Sequence, residues 1–477
     1  MNKYMGIGVF FLMAAGVLSA ATPRYVATNG PGPAPYTSWT TAGSNILEVV
    51  NYANTANAGD TVYISNGTYY LTNTVVISNT IVKGFSGDYR DVIVDGQASV
   101  RCFRLSDGKT PGLSELHGVT VTNGDARSSL DYNKGNLMSP YGGGITLCDF
   151  SMTVDTVAGG GIVSNCLVTS CVSSNAGGIG IYHCSRGQLR DCIIERNKSI
   201  GGSGGVGMLY VGYNSQPVDI KGCTIRYNTS GGSSGGIGSY EPFYIYNSQI
   251  VSNCAGGGQW HGGAGIAIGS LGGTTWSVIS NCHIVGNTNA YYGGGVRVQP
   301  PTRFYNCVIA GNSASSGAGG LLLGETAKGT CEVYNCTIVG NTCRNNIANL
   351  GGGVYNDANA TSSFVNCIIY SNRFNTGASS SPYDNYNSAN ARMYFTNSCT
   401  YPMPTYGANN ITNYPQFTGL QSQDYTLSPD SPCINTGTNQ SWMTKKLDLG
   451  NMPRLRYGTV DMGAYEAIFP GTVYEIR

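Results

Sequence analysis

Apolar residues along this chain fall in runs of three or four, separated by glycine, asparagine and aspartate. A phrase close to Asn-Cys-x-Ile-x-x-Asn, followed by Gly-Gly and an aliphatic residue, recurs eight times at intervals of 25 to 34 residues, the period of a solenoid coil. The copies begin at Asn165, Asp191, Gly222, Asn247, Asn281, Asn306, Asn335 and Asn366. Because residues two apart in a strand share a face, Cys and Ile point inward together. The pattern predicts an all-β, right-handed parallel β-helix, since parallel crossovers are strongly biased to that hand.

Seven cysteines share one phase of the repeat and are predicted to stack inside the coil as a ladder of free thiols. They are Cys166, Cys192, Cys223, Cys282, Cys307, Cys336 and Cys367, and Ser248 takes the eighth place. Stacked strands lie about 4.8 Å apart, and a buried thiol behaves as a small hydrophobic group. Disulfide bridges stay open as an alternative for Cys331, Cys336 and Cys343, and for Cys399 with Cys433.

The asparagine that ends each copy is predicted to occupy a bend, because asparagine tolerates left-handed backbone and can bond its own turn. The residues concerned are Asn197, Asn228, Asn253, Asn287, Asn312, Asn341 and Asn372. Only the first copy departs from the pattern, with Cys171 in this place. Stacking of the coils would then build an asparagine ladder.

The N-terminus has the three parts of an export signal. Lys3 precedes an apolar run from Met5 to Leu18, and the small residues Ser19-Ala20-Ala21 supply a cleavage site. We therefore predict a signal peptide over residues 1–21, no membrane span in the mature chain, and a secreted or cell-surface location.

The rest of the chain divides into three predicted segments. Residues 22–60 form a lead-in segment and N-terminal cap, in which Ser44 or Asn45 caps a short helix over Ile46–Ala56. Residues 61–395 form the β-helix, and residues 396–477 form C-terminal coils and a further module. A helix over the first coil would cover an exposed sheet edge.

Composition and spacing exclude several classes of partner. The 477 residues carry only 11% charged side chains and a net charge of +1, which argues against nucleic acid. No CxxC pair occurs and the four histidines lie apart, so no zinc site is predicted. Asp88, Asp91 and Asp95 are interpreted as turn residues rather than a calcium site. The sequence indicates no particular cofactor.

The repeat resembles the right-handed parallel β-helices of the pectate-lyase-like superfamily. The phrase NAGDTVYISNGTYY, Asn57 to Tyr70, is similar to a first-coil phrase common in that superfamily. The repeat is also similar to the GGA(I/V) and FxxN repeats of chlamydial polymorphic outer-membrane proteins, with Ile in place of Phe. Near the end, Asp424–Asn439 and Leu447–Glu466 resemble the choice-of-anchor Q module of secreted bacterial proteins. The residues that match its pattern are Asp448, Arg454, Asp461, Gly463 and Glu466.

A track of small residues follows the Gly-Gly-aliphatic strands and predicts a shallow groove. Its members on successive copies are Thr146, Gly180, Gly207, Gly238, Ala267, Arg297, Leu322 and Tyr355, and they are small as far as Ala267. Aromatic and titratable residues flank the track: Tyr182, His183, Tyr210, Tyr240, Glu241, Trp260 and His261. Such a wall suits sugar rings, which stack on aromatic side chains.

His183, Tyr210 and Glu241 are the candidate catalytic residues, because imidazole, phenol and carboxyl groups exchange protons. Tyr182, Tyr240, Trp260, His261 and Arg297 are the candidate substrate-binding residues, with Arg297 facing a uronate carboxylate. The bland alternative is that all eight are ordinary exposed turn residues on a tyrosine-rich surface.

Two functions stay open at this level. The superfamily resemblance implies a secreted carbohydrate-active protein: a polysaccharide lyase, a hydrolase, or a glycan-binding relative that has lost catalysis. The outer-membrane-protein resemblance implies a non-enzymatic surface or adhesin-like protein. Both imply a polysaccharide or surface glycan as partner, and the sequence does not decide whether the protein is an enzyme.

Overall fold

The computed structural model describes most of the chain after the predicted signal peptide. The described residues are 21–106, 114–127, 141–148, 161–182, 184, 187–209, 217–256, 262–269, 275–324, 329–344, 351–374, 384–388 and 392–468. Their strands pair into four long sheets, here named A to D, in which the paired strands are parallel. The predicted right-handed parallel β-helix is confirmed.

A two-residue turn joins sheets A and B in the regular coils, as Asn281 and Cys282 do. The strands of sheet A are Pro23–Val26, Thr61–Ile64, Ile81–Gly84, Glu115–His117, Ile162–Ser164, Gln188–Arg190, Val218–Lys221, Phe243–Tyr246, Ser277–Ser280, Thr302–Tyr305, Gly329–Tyr334, Ala360–Val365, Met393–Thr396 and Gly407–Ala408. Those of sheet B are Gly67–Tyr70, Val92–Asp95, Thr120–Thr122, Leu167–Thr169, Ile193–Glu195, Thr224–Arg226, Gln249–Val251, His283–Val285, Val308–Ala310, Thr337–Val339, Ile368–Tyr370 and Cys399–Thr400.

Sheets D and C follow sheet B in each regular coil, joined by a glycine-rich corner. The strands of sheet D are Val172–Ser173, Lys198–Ser199, Thr229–Ser230, Cys254–Ala255, Thr288–Asn289, Ser313–Ala314, Thr342–Cys343 and Arg373–Phe374. Those of sheet C are Val75–Ser78, Phe103–Ser106, Ile145–Cys148, Ile179–Tyr182, Val206–Leu209, Ile237–Ser239, Ile266–Ile268, Val296–Val298, Leu321–Leu323, Val354–Asn356 and Tyr386–Ser388.

The first helix closes the N-terminal end of the coil, as predicted. It spans Ile46–Ala56, and the Asn45 side chain accepts a hydrogen bond from the backbone N–H of Leu47. Four of its residues are buried against the first strands: Ile46, Val49, Val50 and Ala53. The lead-in segment also contributes Pro23–Val26 to sheet A, and a 3₁₀ turn covers Trp39–Thr41. In the described part of the chain, no helix is long and apolar enough to cross a membrane.

The seven cysteines of the repeat are buried and free, so the predicted thiol ladder is confirmed. The Cys282 thiol donates to the carbonyl of Ser280 at 3.1 Å, and the backbone N–H of Cys307 donates to the sulfur of Cys336. Burial raises the pKa of the Cys367 thiol to about 12, which keeps it protonated. The other cysteines raised as disulfide candidates are free as well.

Cys254 is the exposed member of the described cysteines, and it provides a labelling prediction. We expect iodoacetamide to alkylate Cys254 in the folded protein about tenfold or more faster than Cys282, because a buried thiol reacts only after local opening. Mass spectrometry of tryptic peptides over a time course measures both rates, and urea should abolish the difference. Equal rates in the folded protein would contradict the ladder.

The asparagine ladder exists, but its place in the turn differs from the prediction. The left-handed residue is the one before the trailing asparagine, for example Arg196, Tyr227 and Ser252, with φ between 53° and 55°. The asparagine that opens each copy also takes this conformation at the turn between sheets A and B, as Asn281 does with φ 50°. The trailing asparagine instead turns its side chain into the coil, where hydrogen bonds to the coils on either side fix it.

Asn287 shows the geometry of one ladder rung. Its Nδ2 donates to the carbonyl of Ile250 at 2.9 Å and to Oδ1 of Asn312 at 3.0 Å. Its own Oδ1 accepts from the backbone N–H and from Nδ2 of Asn253, at 2.9 and 3.0 Å. Each buried amide therefore joins three successive coils.

The C-terminal segment continues the coil briefly and then folds back along it. Cys399–Thr400 and Gly407–Ala408 extend sheets B and A, and an antiparallel hairpin follows, Phe417–Gly419 with Asp424–Leu427. The 3₁₀ turns Leu420–Ser422 and Ser441–Met443 complete the regular elements. The sequence left open whether this region adds coils or forms a cap, and the described residues do both.

The segment docks on the outward asparagines at the turn between sheets A and B. Nδ2 of Asn306, Asn335, Asn366 and Asn397 donates to the carbonyls of Leu447, Asp461, Thr438 and Thr436 respectively, at 2.9 to 3.1 Å. The asparagine that opens each copy thus has a second use, because it provides a row of docking points outside the coil.

A buried cluster, here called the clasp and formed by Asp448, Arg454, Asp461 and Glu466, holds the docked segment together. Arg454 is fully buried and donates to Oε1 of Glu466 at 2.6 Å, to the carbonyl of Gly463 at 2.9 Å, and to Oδ1 of a coil asparagine. Asp448 and Asp461 each accept two backbone N–H bonds at 2.6 to 2.7 Å.

The clasp predicts a pH dependence of stability. Burial raises the pKa of Glu466 to about 8, although Arg454 opposes the rise. The folded protein therefore holds this proton more tightly than the unfolded chain. The stability contribution is complete below the ordinary pKa of 4.5 and is lost as the pH rises toward 8.

We expect the free energy of unfolding to fall by up to about 1.4 kcal/mol per pH unit across this window. Urea denaturation between pH 5 and pH 8.5 measures the slope. Glu466→Gln, which keeps an acceptor for Arg454, should flatten it. The same slope in both proteins would show that Glu466 is not the titrating group.

Candidate functional site

The floor of the candidate site is the track that follows the aliphatic residue in sheet C. Strand pairing places Gly207 beside Gly238, Gly238 beside Ala267, and Ala267 beside Arg297, as the repeat predicted. Neighbouring strands are about 4.8 Å apart. The floor is therefore three small residues long in the direction of the coil axis, and Arg297 ends it.

A groove of about 480 Å³ lies over this floor. Its wall on the glycine-corner side includes Asn175, Ser203 and Ser233, and its opposite wall includes Leu209 and Tyr240. A Cβ on Gly238 would lie 2.2 Å from Oγ of Ser203, so a side chain there would require the serine hydroxyl to rotate away. The volume suits a segment of a few sugar units rather than a small ion.

The groove is shorter than the sequence predicted. Thr146 and Gly180 continue the small track in register, but Thr146 is fully buried and Gly180 is buried too. The Thr146 hydroxyl donates to the carbonyl of Tyr141 at 2.7 Å, and a Cβ on Gly180 would lie 2.7 Å from the backbone nitrogen of Gly142. The chain around Tyr141 therefore covers the two earlier rungs.

Arg297 supplies the positive charge of the groove. Arg297 is only 4% exposed, yet its side chain lines the groove. Burial lowers its pKa to about 10, and the phenols of Tyr240 and Tyr292 with the carboxylate of Asp357 oppose the fall. The guanidinium thus stays charged at neutral pH in a place shielded from water, where a charge attracts an anion more strongly than at the surface.

Tyr240 lies beside this charge on the groove wall. Burial raises its pKa and Arg297 opposes the rise. A Cβ on Gly269 would come within 2.7 Å of the Tyr240 ring, so the glycine allows the ring to lie against the next coil. The pair therefore offers an aromatic face and a cation side by side, which is a combination that binds sugar acids.

Tyr182 supports the groove from behind. It is 5% exposed and packs against Tyr141, with ring centroids 5.3 Å apart, and against Leu209. Both partners line the groove, whereas Tyr182 is not among its lining residues. In this structure Tyr182 packs behind the groove wall, and its role in substrate binding stays a prediction.

Glu241 follows Tyr240 in the chain but lies beside the groove rather than in its wall. Its backbone N–H donates to Oγ of Ser239, and the Ser239 hydroxyl in turn donates to the Glu241 carbonyl. Burial raises the pKa of the Glu241 carboxyl, which favours its protonated form. Glu241 is not among the residues that line the groove.

Four of the eight candidate residues lie outside the described part of the chain: His183, Tyr210, Trp260 and His261. Of the other four, the structure brings Tyr240 and Arg297 together in the groove and sets Tyr182 and Glu241 beside it. The corner residues Asn175, Ser203 and Ser233 also line the groove but escaped the sequence analysis. The available signal was their position one or two residues before each Gly-Gly pair.

The turn carboxylates do not assemble into a metal site. Asp88 pairs with Arg90, and Asp95 accepts from Nδ2 of Asn123 and from the backbone of Gln97. Within the ranges that the structure describes, no group of three His, Cys, Asp or Glu residues could hold a metal ion.

Comparisons with known proteins identify no family for this chain. No family model matches it, and no curated protein matches it. Among solved structures, endo-xylogalacturonan hydrolase from Aspergillus tubingensis is similar at 12% identity, over 77% of this chain and 96% of that one, with a TM-score of 0.29. A mannuronic acid specific polysaccharide family 6 lyase from human gut microbiota is similar at 13% identity, over 71% and 87%, with a TM-score of 0.26. Such low values carry no argument about activity.

Proposed function

We propose that this chain is a carbohydrate-active β-helix protein that binds an acidic glycan in the groove over Gly207, Gly238 and Ala267. The observation that carries the proposal is the shielded guanidinium of Arg297 beside the ring of Tyr240. An arginine recognises a carboxylate through paired N–H donors, and a phenol ring stacks on a sugar face. The floor without large side chains lets the sugar lie close to the backbone.

Catalysis beside this groove is a further part of the proposal. Glu241 lies next to the groove wall and has a pKa raised by burial, as a general acid needs, and His183 and Tyr210 are the candidate partners for proton transfer. A lyase needs a base near the proton beside the uronate carboxyl, whereas a hydrolase needs a paired acid and base.

A panel of acidic and neutral polysaccharides tests both parts. We expect retention on an acidic glycan, together with new reducing ends for a hydrolase or an unsaturated uronate product for a lyase. Retention without turnover would favour the non-enzymatic surface protein, and neither retention nor product on any glycan would end the proposal. Replacing His183, Tyr210 and Glu241 together should abolish turnover with the fold intact.

Binding energies of single variants test the groove itself. We expect Arg297→Ala to weaken binding of an oligouronate by about 1.5–3 kcal/mol, because hydrogen bonds to a charged group are lost. Tyr240→Ala should weaken acidic and neutral sugars alike. Arg303→Ala, which removes an arginine paired with Glu332 on sheet A, is the matched control and should leave affinity unchanged. Calorimetric titration measures all three, and equal affinities for Arg297→Ala and wild type would contradict the site.

We also propose that the protein acts outside the cytoplasm and that residues 396–477 are a choice-of-anchor Q type module. Support for the location is the export signal of residues 1–21. Support for the module is that Asp448, Arg454, Asp461 and Glu466 of its pattern lie in one buried cluster, with Gly463 bonded to Arg454. Secretion of the full chain, followed by N-terminal sequencing of the product, tests the location.

A further inference from the structure

Three polar side chains on sheet A form a chain of short contacts away from the groove. Nδ1 of His117 lies 2.5 Å from Oγ of Ser164, and Nε2 of His117 lies 2.7 Å from Oε2 of Glu115. A neutral ring protonated at Nε2 satisfies both contacts, because Nε2–H donates to the carboxylate and Nδ1 accepts the serine proton. This is the arrangement of a nucleophile, a base and a group that orients the base.

The repeat geometry holds these groups in place. Glu115 and His117 lie two apart in one strand and so share a face, while Leu116 between them is fully buried. His117 pairs in register with Ser164 of the following coil, where Val163 is the buried neighbour. The three side chains therefore face outward, and His117 and Glu115 are 25% and 21% exposed. A substrate can reach them.

Three basic side chains lie on the same outward-facing row of sheet A as His117 and Ser164. Register pairing places Lys83 before His117, and Arg190 and Lys221 after Ser164, one per coil. The carboxylates of Glu115 and Asp219 lie on the neighbouring row of the sheet. Neighbouring strands are about 4.8 Å apart, so an anionic polymer lying along the coil axis would meet one cation on each of these coils. Arg190, directly beside Ser164, is placed to stabilise a developing oxyanion.

We propose that Ser164, His117 and Glu115 form a second site, which hydrolyses acyl esters carried by an anionic glycan. The Ser164 hydroxyl attacks the ester carbonyl while His117 takes its proton; the carbonyl–alkoxy bond breaks, and His117 returns the proton to the departing alcohol. Water then attacks the acyl-serine while His117 accepts a proton from the water. The acyl–serine bond breaks, the acid leaves, and His117 returns the proton to the serine oxygen. The sum is ester plus water giving acid plus alcohol.

A fluorophosphonate probe and an ester substrate test this on the full chain. We expect the probe to label Ser164, located by peptide mass spectrometry, and p-nitrophenyl acetate to be hydrolysed. Ser164→Ala should lose labelling and about 10²–10³-fold in turnover, as removal of an activated nucleophile does. Ser280→Ala is the matched control, because Ser280 lies on the same outward row with tyrosines rather than a histidine as its partners.

Two further measurements separate the roles. Glu115 acts through His117, so Glu115→Gln should lower kcat and leave KM unchanged. Acetate release should be faster from an acetylated acidic polysaccharide than from an acetylated neutral one, and salt should reduce the difference. Arg303→Ala should leave ester hydrolysis intact, since Arg303 pairs with Glu332 on sheet A several coils away from Ser164.

An unlabelled and inactive wild-type protein would overturn the proposal, as would Ser164→Ala with wild-type turnover. Equal release from acidic and neutral polymers would overturn the anionic substrate. None of these outcomes touches glycan binding in the groove, so the two sites fail independently.

Discussion

Replacing Arg454 by methionine is expected to lower the free energy of unfolding at pH 9, where Glu466 is ionised, by about 3–5 kcal/mol, the cost of breaking a buried ion pair from one side. The substitution removes three hydrogen bonds from a fully buried side chain and leaves acceptors on Glu466, Gly463 and Asn306 without their donor. Methionine fills much of the volume, so lost packing contributes little. The loss should be greater at pH 9 than at pH 6, because Glu466 ionises as the pH passes about 8.

Urea denaturation at the two pH values measures this loss, and amide hydrogen exchange locates it. Exchange should accelerate in residues 435–467 and remain slow in the coils near the N-terminal helix, since each coil packs only on its neighbours. Arg90→Ala is the control: its partner Asp88 is at the surface and the arginine side chain is 74% exposed. Exposed pairs of this kind contribute little to stability because solvent screens them. A loss under about 1 kcal/mol for Arg454→Met would refute the clasp.

Replacing Asn287 by leucine is expected to cost roughly 3 kcal/mol or more, because several buried hydrogen-bonding groups lose partners worth about 1–3 kcal/mol each. The carbonyl of Ile250 loses its donor, and the backbone N–H and Nδ2 of Asn253 lose their acceptor. Leucine also places a branched side chain close to Gly265. Space there is tight, because a Cβ built on Gly265 would lie only 3.0 Å from Nδ2 of Asn287.

Thermal unfolding of Asn287→Leu and of Thr288→Ala, its half-buried neighbour, measures the effect. We expect a large fall in Tm for the first and a small one for the second. The double variant Asn253→Leu/Asn287→Leu should cost less than the sum of the single variants, because the two residues share hydrogen bonds. Strict additivity would mean that the rungs act separately.

The sequence was sufficient for those parts of the fold that depend on local signals. The helix over Ile46–Ala56 has its cap and its apolar spacing within a dozen residues, and its predicted bounds agree with the structure. The order of residues along the groove floor was also predictable, because the Gly-Gly pair marks the register of every regular coil.

The length of the groove was not predictable. Whether a small residue is open or covered depends on the chain around Tyr141, and no repeat pattern indicates how that segment crosses Thr146 and Gly180. Tyr182 shows the same difficulty, since a strand pattern does not tell whether an aromatic ring faces a ligand or another ring.

Contacts between residues far apart in the sequence were missed for a different reason. Ser164 and His117 are 47 residues apart, which is longer than the regular period, so counting along the chain does not reveal that they are neighbours. The clasp residues were identified by resemblance, but their docking on Asn306 spans 148 residues. Such contacts follow from how the chain returns on itself, which depends on the whole fold.

A crystal structure with a bound oligouronate tests the central claim most directly. The account predicts density for the sugar over Gly207, Gly238 and Ala267, with a carboxylate bonded to Arg297 and a ring face against Tyr240. Sugar bound only elsewhere, with this groove holding solvent at saturating ligand, would contradict it.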